Sequence, residues 1–282
     1  MIATVARPSR ADHPDLSALL TRPVPAVMGV LNVTPDSFSD GGQFFAPEQA
    51  LAQARRMIAE GADILDIGAE STRPDGGAQP VSAAEEVQRL RPVLEEVAAL
   101  GTPVSIDSMK SAVVAWALDA GARIANDVWG LQRDPEMASV IVAHRVPVIV
   151  MHNRDRADPA IDIMQDIAAF FSRSLEIAAR AGIPESHIVL DPGIGFGKTP
   201  EQSMTALARL DELRAFGLPL LVGASRKRFI GSVMPSAPDQ RLGGSIAAHV
   251  AAARNGARII RTHDVAETVQ ALRVARAIED FR

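Results

Sequence analysis

Eight short apolar runs constrain the fold of this chain more than any other feature. Each run has about five to seven residues and is rich in Val, Ile and Leu. Continuous apolar runs of this length are typical of strands that are buried on both faces of a parallel sheet. The eight runs begin near Ala26, Asp63, Val104, Ile124, Val148, Ile188, Leu218 and Ile259.

The segments between these runs have helical periodicity, and six of them end in glycine. A glycine in the left-handed conformation commonly ends a helix and turns the chain into the next strand. One segment, which contains Val87 and Leu94, also contains Pro92. A proline there predicts a kink or a split in the helix. The six glycines are Gly61, Gly101, Gly121, Gly182, Gly217 and Gly256.

Strand, helix and glycine repeated eight times predict an α/β fold, a single (β/α)8 TIM barrel. The length of 282 residues suits one such domain. We expect residues 24–282 to form the barrel and residues 1–23, which are rich in Pro, Arg and Ala, to form a variable N-terminal arm that is partly ordered at best. A doubly wound open sheet is the alternative fold.

Composition excludes several classes of function. The chain has no cysteine, so disulfides, cysteine–zinc sites and cysteine nucleophiles are impossible. The formal net charge of −5 argues against a nucleic-acid partner, and no apolar stretch is long enough to predict a membrane partner. The N-terminus lacks the apolar core of a signal peptide, so we expect a cytoplasmic protein.

A parallel barrel carries its active site at the C-terminal ends of its strands. Asp107, Asn126 and Asp191 each follow apolar residues directly inside a predicted strand, where a polar side chain needs partners. Together with Lys227 they form an acceptor-rich set, suited to the donor edge of a flat nitrogen heterocycle. Asp127, next to Asn126, has two open interpretations: a site residue, or a structural or helix-capping residue.

A second set of strand-end residues is cationic. It contains Arg73, Arg261 and His263, and these side chains suit an anion such as a phosphate. Arg261 and His263 are two residues apart, so strand alternation predicts that they face the same way. The strand ends therefore divide into two separate chemical sets, one suited to a heterocycle and one to an anion.

Five segments resemble the motifs of the dihydropteroate synthase family, in the same order along the chain. The resemblance extends roughly from Val24 to Ala277, and the first motif is highly specific. The segments read NVTPDSFSDGG at 32–42, DIGAESTRP at 66–74, DPGIGFGK at 191–198, SRK at 225–227 and RTHDV at 261–265.

The resemblance implies the reaction of that family. The family condenses 6-hydroxymethyl-7,8-dihydropterin diphosphate with 4-aminobenzoate, which gives 7,8-dihydropteroate and pyrophosphate in folate biosynthesis. It also implies a magnesium cofactor (Mg2+), held by Asn32 as the metal ligand, a homodimer, and a target of sulfonamides. The catalytic residues implied are Asp107, Asp191, Lys227, Arg261 and His263.

The resemblance also assigns substrate-binding residues. Asp107, Asn126, Asp191 and Lys227 would hold the pterin. The diphosphate would be held by Asn32, Thr72, Arg73, Arg261 and His263, and the neighbouring Thr262 is added to the substrate-binding set. The aminobenzoate pocket would be shaped by Phe38, Thr72, Pro74, Phe196 and Ser225.

Two other functions stay open on the sequence alone. A methyltransferase that acts on methyltetrahydrofolate would share the acidic pterin set, but it would not need Arg261, His263 or the loop that contains Phe38. A non-catalytic relative that binds pterin or serves as a scaffold is the third interpretation.

Overall fold

The computed structural model describes residues 16–33, 46–68 and 81–281 of the chain. Eight parallel strands close into a barrel in sequence order, and β8 pairs with β1. The predicted (β/α)8 barrel is therefore confirmed. The strands are β1 (Ala26–Asn32), β2 (Ile64–Gly68), β3 (Val104–Asp107), β4 (Ile124–Asp127), β5 (Val148–Met151), β6 (Ile188–Asp191), β7 (Leu220–Val222) and β8 (Ala257–Thr262).

Helices follow the strands on the outside of the barrel. The six predicted glycines all have positive φ, between 70° and 115°. Pro92 splits one helical segment into two, as expected. The helices are α1 (Leu16–Leu20), α2 (Ala46–Ala59), α3 (Ala83–Leu90), α4 (Leu94–Ala98), α5 (Ser111–Asp119), α6 (Met137–His144), α7 (Ile163–Ala181), α8 (Pro200–Ala208), α9 (Arg228–Val233), α10 (Leu242–Arg254) and α11 (Val265–Glu279).

The strands bury both of their faces, which explains why their sequences are apolar runs rather than alternating patterns. Outward-facing side chains pack against the helices in one large core. Inward-facing side chains from the early part of the strands fill the lumen in a second cluster. That second cluster contains Ala26, Met28, Ile64, Ile124, Ile149, Val189, Leu221 and Ile259.

Helix α1 closes the N-terminal end of this lumen. Leu16 is buried within the inner cluster, and Leu19 and Leu20 pack against it. Arg258, at the start of β8, donates hydrogen bonds to the carbonyls of Leu20 and Arg22. The last part of the predicted arm therefore packs against the barrel, while residues 1–15 of that arm lie outside the described residues.

None of the helices described in this structure is long and apolar enough to cross a membrane.

Replacing Leu16 by Ala should lower the free energy of unfolding by about 2–5 kcal/mol, because it leaves a cavity in the lumen core. The matched control is Val274→Ala on α11, where the side chain is 53% exposed, and that change should stay within about 0.5 kcal/mol. Denaturant unfolding of both variants measures the difference. Equal stability of the two variants would mean that α1 does not seal the barrel.

Candidate active site

Five polar side chains converge at the C-terminal end of the lumen. Each lies on the inward face of its strand, because side chains alternate along a strand and these residues share the face of the apolar lumen cluster. Asp107 and Asn126 are direct partners in the register between β3 and β4. The five residues are Asp66, Asp107, Asn126, Asp191 and Arg261.

Arg261 forms the centre of this group. Its Nε donates to Asp66 Oδ2 at 2.6 Å, and one terminal nitrogen donates to Asp107 Oδ2 at 2.7 Å. Burial by itself lowers the pKa of Arg261, but Asp66 and Asp107 raise it above its usual value, so the guanidinium stays charged. Arg261 is thus an ion-pair partner of the acceptor-rich set, which corrects the expectation that the cationic and acceptor-rich sets are separate.

The ion pairs leave two acceptor atoms without partners. Among the described residues, no donor reaches Oδ1 of Asp107 or Oδ1 of Asn126, although both atoms are buried. The amide nitrogen of Asn126 is turned away, toward Asp66 Oδ2 at 3.3 Å. Buried acceptors without a donor are costly, so these two atoms indicate a ligand with N–H groups.

Burial raises the pKa of Asp107 to about 7. Arg261 lowers this pKa, whereas Asp66 and Glu86 raise it further. The carboxyl of Asp107 therefore titrates near neutral pH when the site holds no ligand.

Asp191 and Lys227 extend the site across the lumen. Asp191 Oδ1 accepts from the backbone N–H of Gly193 at 2.7 Å, and burial raises the pKa of Asp191 while Lys227 lowers it. Burial lowers the pKa of Lys227 to about 7, and Asp191 opposes that shift. Lys227 Nζ donates to the carbonyl of Ile194 and lies 4.5 Å from the ring centroid of Phe196.

Ser225 and His263 meet where β7 and β8 end. Ser225 Oγ accepts from the backbone N–H of His263 at 3.2 Å and lies 3.0 Å from Nδ1 of its ring. Between Ser225 and Lys227, Arg226 adopts a φ of 57° and pairs with Asp264. These contacts place Ser225 and Lys227 at the mouth of the barrel.

Thr262 faces the opposite way from Arg261. Its hydroxyl accepts from Thr268 Oγ1 on α11 at 3.1 Å and from the backbone N–H of Asp264 at 3.0 Å. The side chain has no exposed surface. Its contacts are therefore with the outer helix layer, and its assignment to substrate binding stays a prediction.

Asp127 also faces outward and has a structural role. Its two carboxylate oxygens accept from the backbone N–H groups of Trp129 and Leu131, at 2.9 and 2.6 Å. Burial raises its pKa to about 6, and these two hydrogen bonds lower it. Of its two interpretations, these hydrogen bonds support the structural one, in a turn rather than at a helix end.

The sequence interpretation missed several functional-site residues. Asp66 lies inside the apolar run of β2, the same signal that identified Asp107, and could have been found by it. A second group, Asp166, His152 and Lys198, is hydrogen-bonded behind the β6–α8 loop. No local sequence pattern indicated that group, because its members come from three separate parts of the chain.

Several predicted residues lie outside the described residues. These are Phe38, Thr72, Arg73 and Pro74. Asn32 is described and half-buried at the end of β1, beside Gly68 of β2. Within the described ranges, no group of three His, Cys, Asp or Glu side chains could hold a metal ion.

Comparison with known proteins gives one family. Residues 28–263 match the family described as "Pterin binding enzyme". The chain is 43% identical to the dihydropteroate synthase of Bacillus subtilis over 267 residues, which cover 94% of this chain and 93% of the relative.

Two solved structures of dihydropteroate synthase from Xanthomonas albilineans have the same fold. The structure with 4-aminobenzoic acid is 44% identical, has a TM-score of 0.87, and is matched over 92% of this chain and 94% of that chain. The structure in complex with 7,8-dihydropteroate is 41% identical, with a TM-score of 0.84 and coverage of 92% and 95%.

The loop after β6 should tolerate no side chain at Gly193. A Cβ built there lies 2.0 Å from the carbonyl oxygen of His152, and φ is +64°. Gly182 is the matched control, because its φ is +86° but no atom of the described residues lies within 4 Å of a Cβ there. Gly182→Ala should cost about 1–2 kcal/mol of stability from the backbone conformation alone.

Gly193→Ala should cost distinctly more and should also abolish turnover. Thermal unfolding and activity of the two variants measure this difference. Similar stability and activity for both would show that the backbone at Gly193 can move away from His152 without harm.

Proposed function

This chain belongs to the dihydropteroate synthase family of pterin-binding enzymes, and from that membership we propose how its residues divide the work of the reaction. The enzyme transfers the (7,8-dihydropterin-6-yl)methyl group from 6-hydroxymethyl-7,8-dihydropterin diphosphate to 4-aminobenzoate. The products are 7,8-dihydropteroate and pyrophosphate.

The observation that carries the residue assignment is the pair of buried acceptors, Oδ1 of Asp107 and Oδ1 of Asn126. A pterin ring carries N–H donors along one edge, and these donors would satisfy both atoms. Asp191 and Lys227 lie further round the lumen and would hold the rest of the ring. A site built on buried acceptors rejects analogues that lack the donors.

The bond to the departing diphosphate breaks before the amine attacks. The positive charge left on the exocyclic carbon spreads into the dihydropterin ring. The carboxylates of Asp107 and Asp191 favour this cation electrostatically. The arylamine of 4-aminobenzoate is neutral at pH 7, so it needs no strong base before it attacks, and the enzyme accelerates the attack by positioning it. As the C–N bond forms, the nitrogen becomes acidic and releases one proton to solvent.

We assign the diphosphate to the cationic strand ends. His263 follows β8, and Arg261 lies in the same lumen, although Asp66 and Asp107 take up part of its charge. Arg73 and Thr72, outside the described residues, complete the proposed anion site. Phe196 and Ser225, with Phe38 and Pro74 from outside the described residues, would shape the aminobenzoate pocket.

We propose that a magnesium ion binds beside Asn32, at the end of β1. Asn32 offers one amide oxygen at the end of β1, and Mg2+ in such sites keeps several waters and binds mainly through substrate phosphates. Asn32 would hold this ion against the diphosphate. When bound, the ion would stabilise the charge that develops on pyrophosphate.

We further propose that the enzyme works in the cytoplasm and as a homodimer. Sedimentation of the purified protein tests the oligomeric state, and a monomer at all concentrations would contradict it.

The first experiment measures pyrophosphate release. We expect release only when the pterin diphosphate, 4-aminobenzoate and magnesium are all supplied. A pterin methyltransferase would release none, and neither would a non-catalytic pterin binder. Formation of 7,8-dihydropteroate in equal amount completes the test.

His263→Ala should weaken binding of the pterin diphosphate far more than binding of the pterin without diphosphate. Arg261→Ala should weaken both, because it leaves Asp66 and Asp107 as buried carboxylates without a counter-charge. Calorimetry with the two ligands measures each loss. Equal losses for both ligands in His263→Ala would contradict the anion assignment.

Pterin affinity should fall as the pH decreases below about 7. The pKa of Asp107 is about 7 in the empty site, and ring N–H donors favour the ionised carboxylate, so binding releases a proton where Asp107 is protonated. The loss approaches about tenfold per pH unit well below that pKa. Asp107→Asn should bind more weakly at pH 8 and should show a shallower pH dependence. A wild-type affinity that is constant from pH 5 to pH 7 would contradict this role.

A further inference from the structure

A hydrogen-bonded chain of three polar side chains, two of them buried, lies behind the β6–α8 loop, outside the residues assigned to the substrates. His152 follows β5, Asp166 lies on α7, and Lys198 ends the loop. His152 Nε2 is 2.9 Å from Asp166 Oδ2, and Lys198 Nζ is 2.6 Å from His152 Nδ1. His152 has no exposed surface and Lys198 is 8% exposed.

The donors and acceptors of this chain have one consistent assignment. Lys198 Nζ is surrounded by three acceptors: His152 Nδ1, the Gly193 carbonyl at 2.9 Å and the Phe196 carbonyl at 3.1 Å. An ammonium group has three protons to donate, one for each. His152 Nδ1 therefore accepts, and its Nε2–H donates to Asp166.

The surroundings hold this arrangement in place. Burial lowers the pKa of His152 to about 3, with Lys198 acting in the same direction, so the ring stays neutral. The ring of Phe170 packs edge-on against it, with centroids 4.9 Å apart. Asp166 Oδ1 accepts from Arg154 at 2.8 Å. The chain is thus anchored on α7 and ends at Lys198.

Lys198 joins the two limbs of the loop that bears Phe196. One limb contributes the Gly193 carbonyl and the other the Phe196 carbonyl. Gly193, Gly195 and Gly197 all have positive φ, and glycine backbones are intrinsically the most mobile. A cation that bonds both limbs restricts a segment that its own sequence leaves flexible.

The position of this loop determines where two groups of the site lie, the ring of Phe196 and the amino group of Lys227. The ring of Phe196 lies 4.5 Å from Lys227 Nζ, and the carbonyl of Ile194 accepts from the same ammonium group. A shift of the loop would therefore move the ring and its neighbouring cation together.

We propose that Asp166, His152 and Lys198 are positioning residues that hold the Phe196 loop in the conformation that captures 4-aminobenzoate. The inference rests on the proposed placement of Phe196 in the aminobenzoate pocket. None of the three residues contacts a substrate in this assignment.

The two limbs of the loop should respond differently when the hydrogen bonds between Asp166, His152 and Lys198 are removed. The limb that contains Gly193 has an independent anchor, because the Gly193 N–H donates to Asp191 Oδ1 at 2.7 Å. Pterin binding through Asp191 should therefore change little. The limb that contains Phe196 loses the hydrogen bond from Lys198 to the Phe196 carbonyl. Capture of 4-aminobenzoate should therefore be impaired.

The test uses steady-state kinetics of the full-length enzyme with both substrates, calorimetry with a non-reactive pterin, and thermal unfolding. The disrupting variants are Lys198→Met, His152→Leu and Asp166→Ala. His152→Gln is the conservative variant, since its amide offers an oxygen to Lys198 and an N–H to Asp166. Glu176→Ala is the matched control for Asp166, because Glu176 lies on the same helix in an exposed pair with Arg180.

We expect the KM for 4-aminobenzoate to rise about tenfold or more in the three disrupting variants, in line with the cost of a misplaced binding group. Pterin affinity should stay within about threefold of wild type, which also shows that the variants fold. His152→Gln should recover most of the loss of His152→Leu, and Glu176→Ala should match wild type.

A merely structural role would lower the unfolding temperature and leave the KM for 4-aminobenzoate unchanged, and that result would overturn the proposal. Equal losses of pterin affinity and 4-aminobenzoate capture would also overturn it. Failure of the proposed function itself is a separate outcome, because it would abolish pyrophosphate release by the wild-type enzyme.

Discussion

The position of Arg261 between Asp66 and Asp107 is the interaction on which the rest of the site depends. Two carboxylates from β2 and β3 are buried in the lumen, and Arg261 supplies a counter-charge to both. The guanidinium pairs with one oxygen of Asp107, and the other oxygen has no donor among the described residues, so it can accept from a ligand.

Local sequence patterns predicted most of the fold. The predicted strand starts lie within two residues of those in the structure, since buried parallel strands must be apolar on both faces. The position of Asp107, Asn126 and Asp191 directly behind apolar strand residues likewise predicted that they lie at the C-terminal ends of strands. These features depend on neighbours in sequence, and therefore a single sequence contains them.

Partners that are distant in sequence could not be predicted in this way. Arg261 and Asp66 are 195 residues apart, and Lys198 and His152 are 46 apart. Residue type alone placed Arg261 in a separate cationic set, whereas barrel closure brings β8 beside β1 and its arginine against two acids. Thr262 shows the same limit: it lies within the motif that resembles the family, yet its side chain faces α11.

The loop after β6 shows why a charge is buried where no substrate contact requires one. Gly193 must lie so close to the His152 carbonyl that a Cβ there would be 2.0 Å from its oxygen, which excludes any larger residue. Glycine solves the packing problem but leaves the backbone free to move. Lys198 offsets that freedom with bonds to the carbonyls of Gly193 and Phe196, and burial lowers its pKa well below the usual value while Asp191 and Asp166 oppose the shift. His152 and Asp166 then complete the acceptor set that makes a buried ammonium tolerable. The close approach of Gly193 to the His152 carbonyl thus explains why this loop needs the buried Lys198, and why Lys198 in turn needs His152 and Asp166.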